Sequence, residues 1–218
     1  MDFPLPLVTV DAVLLTLIEG RLQVALHRRT GDPCADCLAL PGGVVHVDDD
    51  ESLEATIVRV LKTKTGFSPR YMEQLQVFSG QDRDPRRWSL SVAYLALVPV
   101  DVLEAARKGV FHFYAVDQLP KLAFDHNAIV AAAVQRVRNK TRYSSLPTQL
   151  LPNKFTLAQL QKTYEVIIGS PLDKSSFRRK LEEEGVVVPT EEFTQGAAHR
   201  PARLYKATVM EVFDRVIG

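Results

Sequence analysis

The rhythm of hydrophobic and polar positions changes along the chain and outlines its elements. Residues 8–18 are rich in β-branched and leucine side chains, Glu19-Gly20 is a turn, and residues 21–28 resume the strand pattern, so a β-hairpin is expected first. Gly42-Gly43 opens a loop. Residues 51–65 read as a helix, because Leu53, Ile57, Val60, Leu61 and Lys64 follow three-four spacing and Gly66 stands where a left-handed cap belongs. Residues 74–79 and 89–98 read as strands flanking a polar connection, and 110–116 as a short strand. Residues 125–142 read as a helix with Asp125 as its N-cap. The polar segment Lys140 to Pro147 then breaks the pattern, and the domain boundary is placed there, giving domains 1–143 and 144–218.

The second part has a different grammar. Thr156 caps a helix to Ile167 that carries Leu157, Leu160, Tyr164 and Ile167 on one face. Gly169-Ser170-Pro171 turns the chain, Asp173 starts a second helix, and Gly185 stops it. Residues 186–188 and 204–208 are short strands around the loop from Thr190 to Arg203. Helix, tight turn, helix and a two-stranded wing is the pattern of a winged helix-turn-helix.

A length of 218 residues suits two domains, and 46% hydrophobic with 24% charged residues is ordinary for a soluble protein. The net charge of +1 predicts no strong long-range field, so any nucleic-acid contact must rest on a local basic face. No run of 18 apolar residues occurs, so no transmembrane helix is expected, and Met1-Asp2-Phe3-Pro4 lacks the basic start of a signal peptide. Cys34 and Cys37 form one C-x-x-C without a second ligand pair. They are read as reduced thiols in an ordinary loop, which suits a cytoplasmic chain, and no metal site is expected.

Residues 40–67 resemble the Nudix box, the loop-helix-loop of enzymes that split nucleoside diphosphates linked to another group. Gly43, Glu51, Arg59, Leu61, Gly66 and Phe67 fall on the pattern. The three metal-binding Glu positions instead hold Val60, Thr63 and Lys64, and the loop after Gly43 is two residues longer than the usual five. Mg²⁺ is held by carboxylate oxygens and activates water or clamps phosphoryl charge. Val60 offers no oxygen, Thr63 a neutral hydroxyl, and Lys64 an ammonium. The resemblance therefore implies a binder descended from a hydrolase, not an enzyme, with no catalytic residues and no resident cofactor. It also implies that Arg59 pairs with Glu51 to hold the loop.

The second helix of the C-terminal part carries Lys174, Ser175, Ser176, Arg178, Arg179 and Lys180 in its first half and Glu182 to Glu184 in its last turn. A recognition helix enters the major groove with its N-terminal part, and cations on the wing, here His199, Arg200 and Arg203, suit phosphates. The bland alternative is a solvated basic stripe on a protein-interaction module.

Taken together, the two halves resemble the Nudix-related transcriptional regulators, the NrtR-like bacterial repressors of NAD metabolism. The stretches Leu119 to His126, Leu151 to Leu157, Leu172 to Leu181 and His199 to Tyr205 carry that likeness across nearly the whole chain. It implies a Nudix-like α/β/α sandwich with a mixed sheet, followed by a winged helix-turn-helix. It implies a cytoplasmic homodimer that binds a double-stranded DNA operator and responds to ADP-ribose or a related metabolite. The DNA-contact set is then Lys174, Ser175, Ser176, Arg178, Arg179, Arg200 and Arg203. Planar fork donors suit a diphosphate best, so Arg28 and Arg29 at the end of the second strand, and Arg83 and Arg86 in the Arg-Asp-Pro-Arg loop, are candidates for effector binding. The loop is otherwise an exposed hairpin tip. Phe124 and His126 either line the ligand site or staple the helix start. Trp88 either stacks an adenine or is a strand aromatic. The rival functions are a Nudix hydrolase with an accessory domain and a sugar-sensing regulator of the same architecture.

Overall fold

Strand β1 (Leu7–Ile18) is buried without interruption from Val10 to Thr16, the mark of a strand flanked on both sides and covered on both faces. The computed structural model describes residues 5–106, 109–195, 201–210, 212, 213 and 217. In it, β1 neighbours β2 (Arg21–Arg28) through the expected turn and runs parallel to β6 (Ser89–Leu97), from Leu7 opposite Ser89 to Leu15 opposite Leu97. β5 (Tyr71–Gly80) lies antiparallel on the far side of β6. Three short strands complete a mixed sheet. β3 (Leu38–Ala39) and β7 (His112–Ala115) pair with β2, and β4 (Gly42–Val44) pairs antiparallel with β1, Thr9 opposite Val44.

Alternate β1 residues Val10, Ala12 and Leu14 face helix α1 (Leu53–Thr65), whose Ile57, Val60 and Leu61 join them in one buried cluster with Val92 and Tyr94. The helix begins two residues later than the sequence suggests. Ser52 is extended, and its hydroxyl accepts from Ala55 N, so the cap falls on Ser52 and not at Glu51. Gly66, at φ 83°, ends the helix as expected. Helix α2 (Val100–Ala105) is a single short turn of structure that no periodicity announced. Helix α3 covers His126–Thr141. Asp125 stands at the N-cap position as expected, its carbonyl accepting from Ile129 N, while its carboxylate is held by the guanidinium of Arg83.

The chain divides into two units. Residues up to 16 with 23–134 form the first, and 17–22 with 135–218 the second, so the division passes through α3 in the sequence. In the second, a 3-10 turn (Leu146–Leu150) precedes helix α4 (Leu157–Ile168). Thr156 and Gln159 form a reciprocal capping box at the start of α4, and left-handed Gly169 ends it. Helix α5 (Lys174–Glu183) starts at Asp173, whose carboxylate accepts from Ser176 N. Strands β8 (Val187–Phe193) and β9 (Arg203–Ala207) form the antiparallel wing. β8 outlasts the expected 186–188 because pairing resumes at Phe193, opposite Arg203, beyond an irregularity at the polar residues Thr190, Glu191 and Glu192. Leu160, Tyr164, Phe177, Leu181 and Val186 make the core of this unit, with the Tyr164 and Phe177 rings in an edge-to-face contact at 5.1 Å.

Candidate ligand cavity and nucleic-acid interface

In the first unit, the ends of β1, β2 and β4 converge with the last turn of α1, the loop after β5 and the segment before α3. They enclose a cavity of about 190 Å³. Of the sequence-predicted ligand residues, Arg29, Arg83, Arg86, Phe124 and His126 all line it. Arg28 does not. Its guanidinium donates to Asp36 O, and it lines an adjoining cavity instead.

Arg83 grips Asp125 through Nε and an NH₂ group at 3.0 and 2.9 Å and also donates to Ser89 Oγ. Arg86 grips the buried Asp84 at 2.7 and 3.0 Å. The Arg86 hydrogen bond holds the Asp84 carboxyl below the usual carboxylate range. Arg83 and Arg86 thus each have a carboxylate partner, and these charges build the loop. An Arg86→Ala change should therefore destabilise the fold, because it strands a buried carboxylate. The expected readout is a lowered melting temperature, with Arg86→Lys milder.

Arg29 is spent differently. It donates to the backbone oxygens of Pro33 and Gly31, and its guanidinium lies 4.9 Å from the Phe124 ring centre. Phe124 itself holds φ at 55°, a left-handed conformation costly for an aromatic residue, of the kind that persists where the surroundings enforce it. His126 is buried. Its Nδ1 accepts from Leu40 N at 2.9 Å, which places the ring proton on Nε2, 3.5 Å from Asp11 Oδ1. Burial lowers its pKa, against the pull of Asp11. His126 thus lines the cavity and also clamps the Leu40 backbone, a contact that neither reading named. Trp88 lies outside the cavity, exposed, with its carbonyl accepting from Leu7 N.

The box itself differs from expectation in one contact. Arg59 forks onto Asp50, not Glu51, at 2.6 Å through both nitrogens, and also reaches Val44 O. Placement supplies the reason: Asp50 sits inside, where His46 N and Thr56 Oγ1 also donate to it, while Glu51 is exposed. The Arg59 hydrogen bond holds the Asp50 carboxyl far below the usual range. A depressed folded-state value contributes stability above the unfolded value near ~3.9 and loses it as pH falls through the folded one. Asp50→Asn should therefore melt lower than wild type at neutral pH, with the gap closing as pH drops below about 4. A pH-independent gap would refute the ion pair as its source.

Val60 is buried against Gly43, where an added Cβ would meet Val60 Cγ2 at 2.8 Å, so only glycine fits there while Val60 stands. Thr63 is exposed, and Lys64 donates its ammonium to Gly42 O. Among the described residues no cluster of three or more His, Cys, Asp or Glu fit to hold a metal ion occurs. The side chains at the box positions therefore do not fit the divalent cation of Nudix enzymes. Sequence reasoning treated Lys64 only as a lost ligand and passed over Asp11, His27 and Asp84. Nothing in their local spacing marks them, because the sheet brings them together. Cys34 and Cys37 are free and half-buried.

In the second unit, α5 buries Phe177 and Leu181 and exposes Lys174, Ser175, Ser176, Arg178 and Arg179. Arg179 makes a long contact with Glu183, 3.7 Å between exposed side chains, and feels the Asp173 carboxylate. Arg203 donates to Thr190 O at 2.9 Å and meets Glu191, so it also stitches the wing. His199 and Arg200 lie outside the described residues. No helix among the described residues is long and apolar enough to cross a membrane.

A Nudix sheet with its box helix, followed by a winged helix, defines a two-domain architecture that joins a small-molecule fold to a DNA-binding one. Residues 7–135 match the NUDIX domain model, and 147–207 match the NrtR DNA-binding winged helix domain. The ADPR responsive transcriptional repressor NtrR of Acinetobacter baylyi is 39% identical over 214 residues, covering 96% of this chain and 85% of the relative. The chain belongs to the NrtR family of Nudix-related transcriptional regulators. The crystal structure of Shewanella oneidensis NrtR with a 27mer DNA matches at a TM-score of 0.88 and 34% identity, covering 97% of this chain and 99% of that one. The NUDIX domain of the same protein, complexed with ADP ribose, matches at 0.56 and 37% identity, covering 62% of this chain and 90% of that one.

Proposed function

We propose that this protein is a transcriptional repressor that binds an operator through its winged helix and senses ADP-ribose, or a close relative, in the Nudix cavity without hydrolysing it. The observation that carries the reading is the pairing of an arginine-lined cavity, stripped of metal-binding carboxylates, with an exposed cationic α5 in one chain. The resemblance to the Acinetobacter baylyi repressor over nearly the full length supports it. Genes of NAD metabolism are the expected targets, the homodimer the working form, and the cytoplasm its place. Two heads of a dimer suit half-sites about one helical turn apart, ~34–36 Å. The effector-binding set is Arg29, Arg83, Arg86, Phe124 and His126, with Arg28 at the adjoining cavity.

Only a ligand with different affinities for two states shifts an equilibrium between them. The test is therefore a gel shift with the protein's own upstream region, with and without ADP-ribose. A specific shift whose affinity changes with ADP-ribose is expected. An unchanged shift sinks the sensing reading, and no shift at all sinks the DNA reading.

One observation favours a second reading, metal-dependent hydrolysis. The ADP-ribose pyrophosphatase of Methanocaldococcus jannaschii is 37% identical over 128 residues, 57% of this chain and 71% of that enzyme. Val60, Thr63 and Lys64 argue against it. ADP-ribose with Mg²⁺ or Mn²⁺ should show no turnover above background. Turnover that vanishes with chelator would establish the hydrolase.

A further inference from the structure

Four cationic side chains besides histidine line the ligand cavity, and they fall into two classes. Arg83 and Arg86 are each gripped by a carboxylate, Asp125 and Asp84. Arg29 and Lys64 are held by neutral groups: backbone oxygens of Gly31, Pro33 and Gly42, and the face of Phe124. Lys64 also feels the cavity-lining Asp11 carboxylate, but only through space, so the charge of this pair is less fully answered than that of the loop arginines and is open to an anion.

Arg29 and Lys64 also occupy a particular place. A second cavity of about 630 Å³ adjoins the first, and His27, Arg29 and Lys64 line both. A molecule with two bulky ends and an anionic middle has its middle at that shared wall. We propose that Arg29 and Lys64 form a seat for a diphosphate linker, with one end of the ligand in each cavity. In this seat the Lys64 ammonium supplies the positive charge that Mg²⁺ supplies in enzymes built on the same box. The proposal rests on the reading of ADP-ribose as effector and adds the atoms that recognise its linker.

The position of Lys64 explains why the exchange works. It replaces one of the box's carboxylates at the C-terminal end of α1, and its ammonium binds Gly42 O at the mouth of the box loop. A carboxylate here recruits a cation from solution, whereas a lysine is the cation. The site then binds a dianion with no metal and has no metal-bound water to attack it. Burial and the nearby Arg29 both push the Lys64 pKa down, Asp11 pulls it up, and a bound diphosphate favours the charged form.

The test is calorimetry on the full-length protein in EDTA, with ADP-ribose and with inorganic pyrophosphate as probes. Wild type is expected to bind both without metal. Lys64→Gln should weaken each by about tenfold or more, the loss of one charge-assisted contact. Lys64→Glu should bind poorly in EDTA and recover with Mg²⁺, a response that a merely structural lysine does not produce. Lys64→Arg should stay within a few-fold of wild type, and it carries the test if the Gln variant does not fold. Unchanged affinity in a folded Lys64→Gln protein, a Lys64→Arg protein as weak as Lys64→Glu, or a metal requirement in wild type overturns the seat. Pyrophosphate binding without ADP-ribose binding leaves the seat standing and removes the effector. Binding of neither removes both.

Discussion

Replacing Arg178, Arg179 and Arg203 together with Ala is expected to weaken operator binding by about a thousandfold, three contacts at roughly tenfold or more each. The geometry of α5 motivates the size of the effect. Phe177 and Leu181 fix the helix to the core, so Arg178 and Arg179 are carried outward. Their competitors are the acidic last turn and Asp173 at the helix start, and the Arg179–Glu183 contact is long and solvent-exposed, a pair of little strength that DNA phosphate readily replaces. Arg203 contributes in two ways, through its charge and through its bond to Thr190 O, which sets the wing. Surface changes of this type shift stability by about 0.5 kcal/mol or less each, so the triple variant should stay folded. Fluorescence anisotropy against salt separates the roles. A phosphate contact flattens the logarithmic salt slope by about one unit, whereas a base reader relaxes preference at one operator position. Ser175, Ser176 or Arg179, in the early turns of α5, should include at least one base reader. Full-strength binding by the triple variant would show that DNA is held elsewhere.

The elements that sequence made legible are those with long periodic runs or explicit caps: the first hairpin, α1, α4 with its Thr156–Gln159 box, and α5 between Asp173 and Gly185. β3, β4 and α2 were not visible, since two to six residues carry no period and exist only because the sheet or a tertiary contact completes them. The family was legible because spacing survives when side chains change. Partner choice was not. Asp50 displaced Glu51 as the partner of Arg59 because the folded loop decides which carboxylate points inward, and spacing alone cannot register that. The same holds for Asp125, whose place at the head of α3 was legible but whose side-chain partner, an arginine 42 residues earlier, was not. Lys64 shows the converse. Its identity was noted as a loss of chemistry, and only its place against Gly42, between two cavities, shows what it adds.

Restoring glutamate at all three box positions, Val60→Glu, Thr63→Glu and Lys64→Glu, is expected to yield a protein that gains metal affinity, loses stability and still does not hydrolyse ADP-ribose. The stability loss comes from position 60. Val60 is buried in the cluster with Val10, Ile57, Leu61 and Val92, and its methyl lies against Gly43. A carboxylate there forfeits apolar burial and is desolvated without a partner, a cost of roughly 3 kcal/mol. Thr63 is exposed, so its replacement should cost little, whereas Lys64→Glu also gives up the Gly42 O contact and sets a carboxylate near Asp11, so Thr63→Glu with Lys64→Glu should melt below wild type but above the triple variant. Bound Mg²⁺ should then raise the melting temperature of the triple variant in proportion to its occupancy, as any ligand of the native state does. Catalysis needs more than charge. The attacking water must stand in line with the scissile bond, and errors of about an ångström cost on the order of a hundredfold in rate. The loop that would position it is anchored through Asp50 to Arg59, which keeps it in its present shape. Chelator-sensitive turnover by the triple variant would show that the carboxylates alone separate this sensor from a hydrolase. A melting temperature equal to wild type would show that position 60 reaches solvent more freely than its packing against Gly43 implies.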